Sequence, residues 1–194
     1  MGETLAYFAV GLMLFFSAHS LQITRGFRDS LKLRVGENAY KAVYSLVSLL
    51  GLILIGIGFA NYRAEGLIPV WSPPLWTSHL ALLLNWFALV FVVAAYLPCH
   101  MRRILKHPML VGIKIWATAH LLANGDLGGM ILFGIFLFWA VAVRISIKRR
   151  PVESKPRTAS VLFDIVAVVI GSVSYVAIVF WVHPDIFNIP VWPG

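Results

Sequence analysis

Long apolar runs separated by short polar segments dominate the pattern of the chain. A transmembrane helix needs about 20 predominantly apolar residues, and six runs reach or approach that length. These predicted spans are residues 5–24, 42–62, 75–97, 108–125, 127–143 and 165–182. None of the runs alternates between apolar and polar residues, as the strands of a membrane barrel do. The pattern therefore predicts an all-α integral membrane bundle of six transmembrane helices.

The basic residues concentrate in every second loop of this arrangement. Of the 16 Lys and Arg residues, all but two fall between predicted spans one and two, three and four, or five and six. The exceptions are Arg63, which lies on the other side, and Lys114, which lies inside the fourth span. Cytoplasmic loops carry an excess of Lys and Arg. The distribution therefore predicts that the N and C termini are both on the non-cytoplasmic side.

Composition supports a membrane protein and changes how the net charge is interpreted. The chain of 194 residues is 60% hydrophobic and only 12% charged, whereas soluble domains carry about 25% charged residues. The net charge of +8 is accounted for by the basic loops, which face anionic lipid headgroups, so the lipid bilayer and not nucleic acid is the expected partner. The single cysteine, Cys99, excludes an internal disulfide framework and a thiolate metal cluster.

One segment of the chain has the composition of a linker. Residues 150–160 contain two prolines and charges of both signs. The predicted organisation is therefore a five-helix transmembrane body over residues 1–150, followed by a linker and a sixth transmembrane helix over residues 151–194. Within the second span, Gly51, Gly56 and Gly58 are expected to allow close helix packing.

Two histidines lie inside predicted spans, where an ionisable side chain is a candidate functional residue. His19 is in the first span, among aromatic and apolar residues, and His120 is in the fourth. Trp116, His120 and Asn124 are four residues apart and therefore share one helix face. Neutral imidazoles on two helices suit axial ligation of a haem iron. The alternative is that each histidine only forms a hydrogen bond within the bundle.

Several other polar residues are candidates with weaker arguments. The guanidinium groups of a cytoplasmic cluster could neutralise haem propionates, and they belong to Arg25, Arg102 and Arg103. Lys114 could extend to the membrane interface, pair with Asp126 or Asp164, or mark a substrate cavity. Asn85 in the third span is expected to bond a neighbouring helix.

Particular segments of the chain resemble the NnrU family of membrane proteins. They are residues 18–21, 35–41, 61–66 and 106–126, within a resemblance that covers about residues 1–150. The most specific part is the string that runs from His107-Pro108 through Trp116 to His120.

The resemblance implies a function that composition does not. Bacterial NnrU proteins are associated with nitrite and nitric oxide respiration, and a plant and algal relative is zeta-carotene isomerase, a membrane enzyme with haem b. The motifs of the two haem-ligating histidines of that relative match His19 and His120, and Ala117 stands where the relative has a cysteine. The implied protein is a bacterial inner-membrane haem b protein that serves denitrification or redox chemistry on a membrane-dissolved polyene. If it is an enzyme, it is a haem-dependent isomerase.

Two other classes of function stay open from the sequence. The first is a non-catalytic partner or assembly factor for a respiratory membrane complex. The second is a lipid or isoprenylcysteine-type methyltransferase, because Lys106-His107-Pro108 with Gly112 resembles a motif of those enzymes. The Arg-x-Glu-Glu element that accompanies this motif in the methyltransferases does not follow the fifth span here, and His107 stays a further candidate site residue.

Overall fold

The computed structural model describes residues 2–149, 158–186 and 191 of the chain. These residues form helices joined by short turns, and no strand is present among them. The helices are α1 (Gly2–Ser20), α2 (Arg25–Val35), α3 (Glu37–Glu65), α4 (Leu75–Ala94), α5 (His100–Leu105), α6 (Pro108–Ala123), α7 (Leu127–Lys148) and α8 (Val161–Ala177), and α8 continues as a π-helical segment (Ile178–Ile186).

Four of the six predicted spans form helices that are long and apolar enough to cross a membrane. These are α3, α4, α7 and the continuous helix Val161–Asp185. α1 and α2 pass the same test only as a pair, and the pair is bent by 89°. α6 is apolar but has 16 residues, which is shorter than a usual span. The all-α class is therefore confirmed with four or five possible spans, while the first and fourth spans and the orientation stay predictions.

The bend after α1 makes α2 a separate amphipathic helix. None of its residues is buried, and three of its four large apolar side chains, Phe27, Leu31 and Val35, recur every fourth residue. The fourth, Leu33, is exposed, and the other positions include the basic residues Arg25, Arg28, Lys32 and Arg34. The sequence pattern assigned this segment to a loop between the first two spans, because basic residues interrupt the apolar run there.

The chain divides into two compact units. Of the described residues, the first unit contains 2–68 and 145–149, and the second contains 69–144, 158–186 and 191. In the first unit α1 packs against α3 at glycines. A Cβ atom added to Gly51 would lie 2.7 Å from the backbone nitrogen of Phe15, and one added to Gly11 would lie 2.6 Å from that of Ile55. Only glycine, whose side chain is a hydrogen atom, fits at these two positions.

The prediction about close-packing glycines is right for two of the three positions in α3. Gly51 and Gly58 are two helical turns apart and both face α1, where an added Cβ would meet the backbone of Phe15 or Phe8. A Cβ atom added to Gly56 would have no atom of the described residues within 4 Å. The prediction for Gly56 is therefore wrong, because its position falls on a different face of the helix.

In the second unit α4 lies against both α6 and α8. A Cβ atom added to Gly112 of α6 would lie 2.7 Å from the carbonyl oxygen of Ala88, and one added to Gly171 of α8 would lie 2.8 Å from the Cα of Val90. The Trp86 indole also donates a hydrogen bond of 2.9 Å to Ser172 Oγ.

Polar contacts fix the end of the second unit that contains α5. Asp164, in the first turn of α8, accepts a 3.1 Å hydrogen bond from the backbone N–H of Met101 and a 2.6 Å hydrogen bond from Nδ1 of His100. The backbone N–H of Ser160 donates to the carbonyl oxygen of Pro98 at 3.2 Å. These bonds attach the start of α8 to α5.

The glycine packing of α3 can be tested with two neighbouring substitutions. We expect Gly58→Ala to destabilise the protein by about 1–3 kcal/mol, because the added methyl group overpacks the contact with α1. The matched control Gly56→Ala is expected to be neutral or to stabilise by up to about 1 kcal/mol, since alanine favours the helix and meets no atoms. Thermal unfolding in detergent measures both changes, and equal melting temperatures for the two variants would contradict the packing.

Candidate functional site

His19 occupies the last turn of α1 in the first unit. Its Nδ1 donates a 2.9 Å hydrogen bond to the carbonyl oxygen of Phe15, four residues earlier. The imidazole stacks on the Phe15 ring with centroids 4.0 Å apart, and the Tyr44 ring lies 5.4 Å away. The histidine is half-buried, so it is oriented by its own helix and covered by aromatic rings.

His120 occupies the corresponding position of α6 in the second unit. Its Nδ1 donates a 2.8 Å hydrogen bond to the carbonyl oxygen of Trp116, again four residues earlier. Phe133 of α7 stacks on the imidazole with centroids 4.4 Å apart, and the Trp116 ring lies 5.1 Å away. Both histidines are therefore held in the same way by different helices.

This shared hydrogen bond determines which ring nitrogen can act as a ligand. A neutral imidazole that donates from Nδ1 carries its lone pair on Nε2. In metal-binding histidines the non-ligating nitrogen usually donates a hydrogen bond to a backbone carbonyl or carboxylate, which fixes the tautomer and the ring orientation. The hydrogen-bonded interpretation of His19 and of His120 is thus compatible with the ligand interpretation, because each ring has a nitrogen that could bind a haem iron.

A cavity of about 230 Å³ lies in the second unit beside His120. The residues around it come from α4, α6, α8 and the π-helical segment. Those with polar or aromatic side chains are Ser78, Asn85, Trp116, His120, Asn124, Tyr175 and His183. As their spacing predicts, Trp116, His120 and Asn124 face the same space.

Three cavity residues have a position that the sequence did not reveal. Asn85 was expected to bond another helix, but its Oδ1 is buried and has no hydrogen-bond partner among the described residues. The His183 ring lies 6.3 Å from that of His120, centroid to centroid. Tyr175 lies on α8, 55 residues after His120 in the chain. Asn85 could be singled out in the sequence because it is a polar residue in an apolar span. Only packing between helices brings Tyr175 and His183 to the cavity.

The three predicted basic residues are not among the described residues that line this cavity. Arg102 and Arg103 belong to α5, which contacts the beginning of α8 through Asp164, whereas the cavity borders the later residues of α8. His120 is also 12 residues beyond Pro108, or about 18 Å along the axis of α6. Their role with propionates stays a prediction. Arg25 is exposed at the start of α2 in the first unit.

The remaining candidates are placed on α6 or immediately before it. His107 precedes the helix, and its carbonyl oxygen accepts from the N–H of Val111 at 3.2 Å. Lys114 is half-buried and outside the cavity. Within the described part of the chain no carboxylate lies in salt-bridge distance of Lys114, so the predicted pairs with Asp126 and Asp164 are wrong. The remaining interpretation is that the Lys114 side chain extends towards the membrane interface.

The turn that follows His120 is fixed by hydrogen bonds. The N–H groups of Val70 and Trp71 both donate to the carbonyl oxygen of Gly125, at 2.7 and 3.1 Å. The buried Asp126 accepts a 2.8 Å bond from the N–H of Gly129 and so caps the first turn of α7. This arrangement holds the end of α6 and the start of α7, the helices that carry His120 and Phe133.

These features define an all-α membrane protein in which two apolar helices each carry a histidine with the same local hydrogen bond. A family model described as NnrU protein matches residues 7–191, and the chain therefore belongs to the NnrU family. The matched range includes α8, which lies beyond the 150 residues on which the resemblance was based. The division into a five-helix body and a separate last segment stays a prediction. Comparison with curated proteins and with solved structures gave no match.

The cap at Asp126 should contribute measurably to stability. We expect Asp126→Ala to destabilise by about 1–2 kcal/mol, because it leaves a helix N–H group without its acceptor. For a chain of this size the melting temperature should fall by roughly 2–8 °C. Asp29→Ala is the control, since Asp29 is exposed and forms an ion pair with the adjacent Arg28, and we expect a change below about 0.5 kcal/mol. Equal losses in the two variants would show that Asp126 is not a structural cap.

Proposed function

We propose that this NnrU-family protein is a haem b protein in which His19 and His120 are the axial ligands. The observation that carries the proposal is their common setting: each donates Nδ1–H to the carbonyl oxygen four residues earlier. Both rings therefore present Nε2 as the lone-pair nitrogen, which is what axial ligation requires.

The residues around each histidine support the same assignment. Phe15 and Phe133 stack on the two imidazoles and restrict ring rotation, so less conformational entropy is lost when a ligand bond forms. The carbonyl hydrogen bonds also increase the basicity of the ligating nitrogens. Bound haem would supply one-electron chemistry at the iron. Ala117 is completely buried beside His120 and offers no thiol as a replacement ligand.

We further propose a bacterial inner-membrane location with both termini outside the cytoplasm. The basic α2 and α5 support this orientation, since Lys and Arg accumulate on the cytoplasmic side. An exposed amphipathic helix with basic residues is suited to the interface with anionic lipids. In that membrane the protein would serve nitrogen-oxide respiration or, if it is an enzyme, isomerise a membrane-dissolved polyene.

The optical spectrum of the purified protein tests haem binding. We expect the full chain, expressed with sufficient haem, to show a Soret band with the sharp visible bands of six-coordinate low-spin iron. His19→Ala and His120→Ala should each abolish the low-spin spectrum, because each removes one axial ligand. His79→Ala is the matched control, since His79 is exposed on α4, and its spectrum should be unchanged.

Two results would contradict the haem assignment. A parent protein that stays colourless after haem reconstitution would overturn the proposal and favour a non-catalytic partner of a respiratory complex. A haem spectrum that persists in both His19→Ala and His120→Ala would show that other residues bind the group.

A further inference from the structure

We infer that α2 lies flat in the polar interface of the membrane and binds anionic phospholipids through basic residues on both sides of an apolar stripe. The apolar stripe consists of Phe27, Leu31 and Val35. The proposed orientation uses only the number of basic residues in α2, whereas this inference uses their positions. It also does not require haem, because α2 contains neither proposed ligand.

The bend after α1 determines the direction in which α2 runs. α1 has 19 residues, or about 28 Å of helix, which is close to the roughly 30 Å of a hydrocarbon core. α2 is turned by 89° relative to the apolar part of α1, Leu5–Ser20. If α1 crosses the bilayer, α2 therefore runs nearly parallel to the membrane plane.

The charges of α2 argue against a course through the hydrocarbon. Four of its 11 residues are basic, and its one acidic residue is Asp29, which pairs with Arg28 at 3.0 Å. A re-entrant path would place the basic side chains in lipid, where they are strongly disfavoured. The helix is also only about 16 Å long, too short to bring them out on the other side. In the interface the same charges keep contact with water and headgroups.

The basic residues of α2 border the apolar stripe on both sides. At about 100° per residue, the stripe covers roughly 80° of the helix circumference. Arg28, Lys32 and Arg25 follow one edge in that order, and Arg34 adjoins the other edge. Long cationic side chains beside an inserted apolar face can reach lipid phosphate groups.

The opposite side of α2 has a different composition. It consists of Gly26, Asp29, Ser30 and Leu33, so it contains no basic residue. Leu33 is a single apolar side chain there and is 88% exposed. Negative lipid headgroups would therefore favour contact with the stripe and its basic borders over contact with this side.

The stripe itself is largely uncovered by the protein. Phe27 and Val35 expose 60% and 53% of their surface, and Leu31 between them is half-buried. A soluble acidic protein would match the basic charges alone. An anionic bilayer surface matches both features, because it offers phosphate groups beside an apolar interior.

Contacts with α3 restrict the rotation of α2 about its own axis. Gly36 alone connects the two helices, and the Lys32 ammonium lies 5.5 Å from the centroid of the Tyr40 ring in α3. The side that α2 presents to the membrane is therefore built into the first unit and does not depend on the lipid.

Spin labels on opposite sides of α2 test its position. Phe27→Cys and Leu33→Cys are made in the full chain with the single cysteine, Cys99, replaced by serine. The labelled proteins are reconstituted into vesicles of phosphatidylcholine and phosphatidylglycerol. We expect the label at position 27 to lie about 5–10 Å deep in the interface and to collide mainly with oxygen. The label at position 33 should collide mainly with a water-soluble nickel complex.

Two lipids that differ only in their headgroups test the role of charge. Thermal unfolding of the full chain in detergent is followed as dioleoylphosphatidylglycerol or dioleoylphosphatidylcholine is added. We expect the anionic lipid to reach half of its stabilising effect at a concentration about tenfold lower. Lys32→Gln with Arg34→Gln removes one charge from each side of the stripe and should lose most of this difference. The control Arg63→Gln, in the last turn of α3, should keep it.

Three results would overturn the inference. They are a label at position 27 that is as accessible to the nickel complex as the label at position 33, equal effects of the two lipids on the parent, and a preference for the anionic lipid that the double variant retains. The second result needs no variant, so it decides the matter even if the double variant does not fold. The Soret band of the same preparations is a separate measurement that tests the haem proposal alone.

Discussion

The close approach of α4 to its two neighbours is the packing constraint on which the second unit depends. At Gly112 and Gly171 the backbones of α6 and α8 touch the backbone of α4, with space for hydrogen atoms only. Small residues allow van der Waals contact and weak backbone interactions that larger side chains would prevent. In lipid, where apolar burial gives little net driving force between helices, such contacts are a main source of helix association.

This constraint also explains the position of the cavity. The cavity residues of α6 begin at Trp116, one turn after Gly112, and those of α8 begin at Tyr175, one turn after Gly171. Close contact therefore ends where the cavity begins, and larger side chains line the space between the same three helices. Near the cavity, Asp126 and the bonds to Gly125 hold the α6–α7 turn, while Asp164 attaches α8 to α5 at the other end.

The tautomer of each histidine is fixed within its own helix, whereas the rotation of the ring is restricted by a stacking partner. The hydrogen bond from Nδ1 goes to a carbonyl of the same helix, so α1 and α6 each determine the tautomer without help from the rest of the fold. Ring rotation is restricted differently: His19 stacks on Phe15 of its own helix, whereas His120 stacks on Phe133 of α7. The surroundings of His120 consequently depend on the α6–α7 turn, and those of His19 depend mainly on α1.

The sequence by itself determined the features that depend on local pattern. Apolar runs of spanning length determined the helical class and four of the helices that could cross the membrane, and four-residue spacing placed Trp116, His120 and Asn124 on one face. Tertiary structure decided which glycines meet another helix, that α1 bends into α2, and that Asn85, Tyr175 and His183 share a cavity with His120. The physical reason is that periodicity identifies the faces of a helix, whereas only packing between distant segments determines what each face contacts.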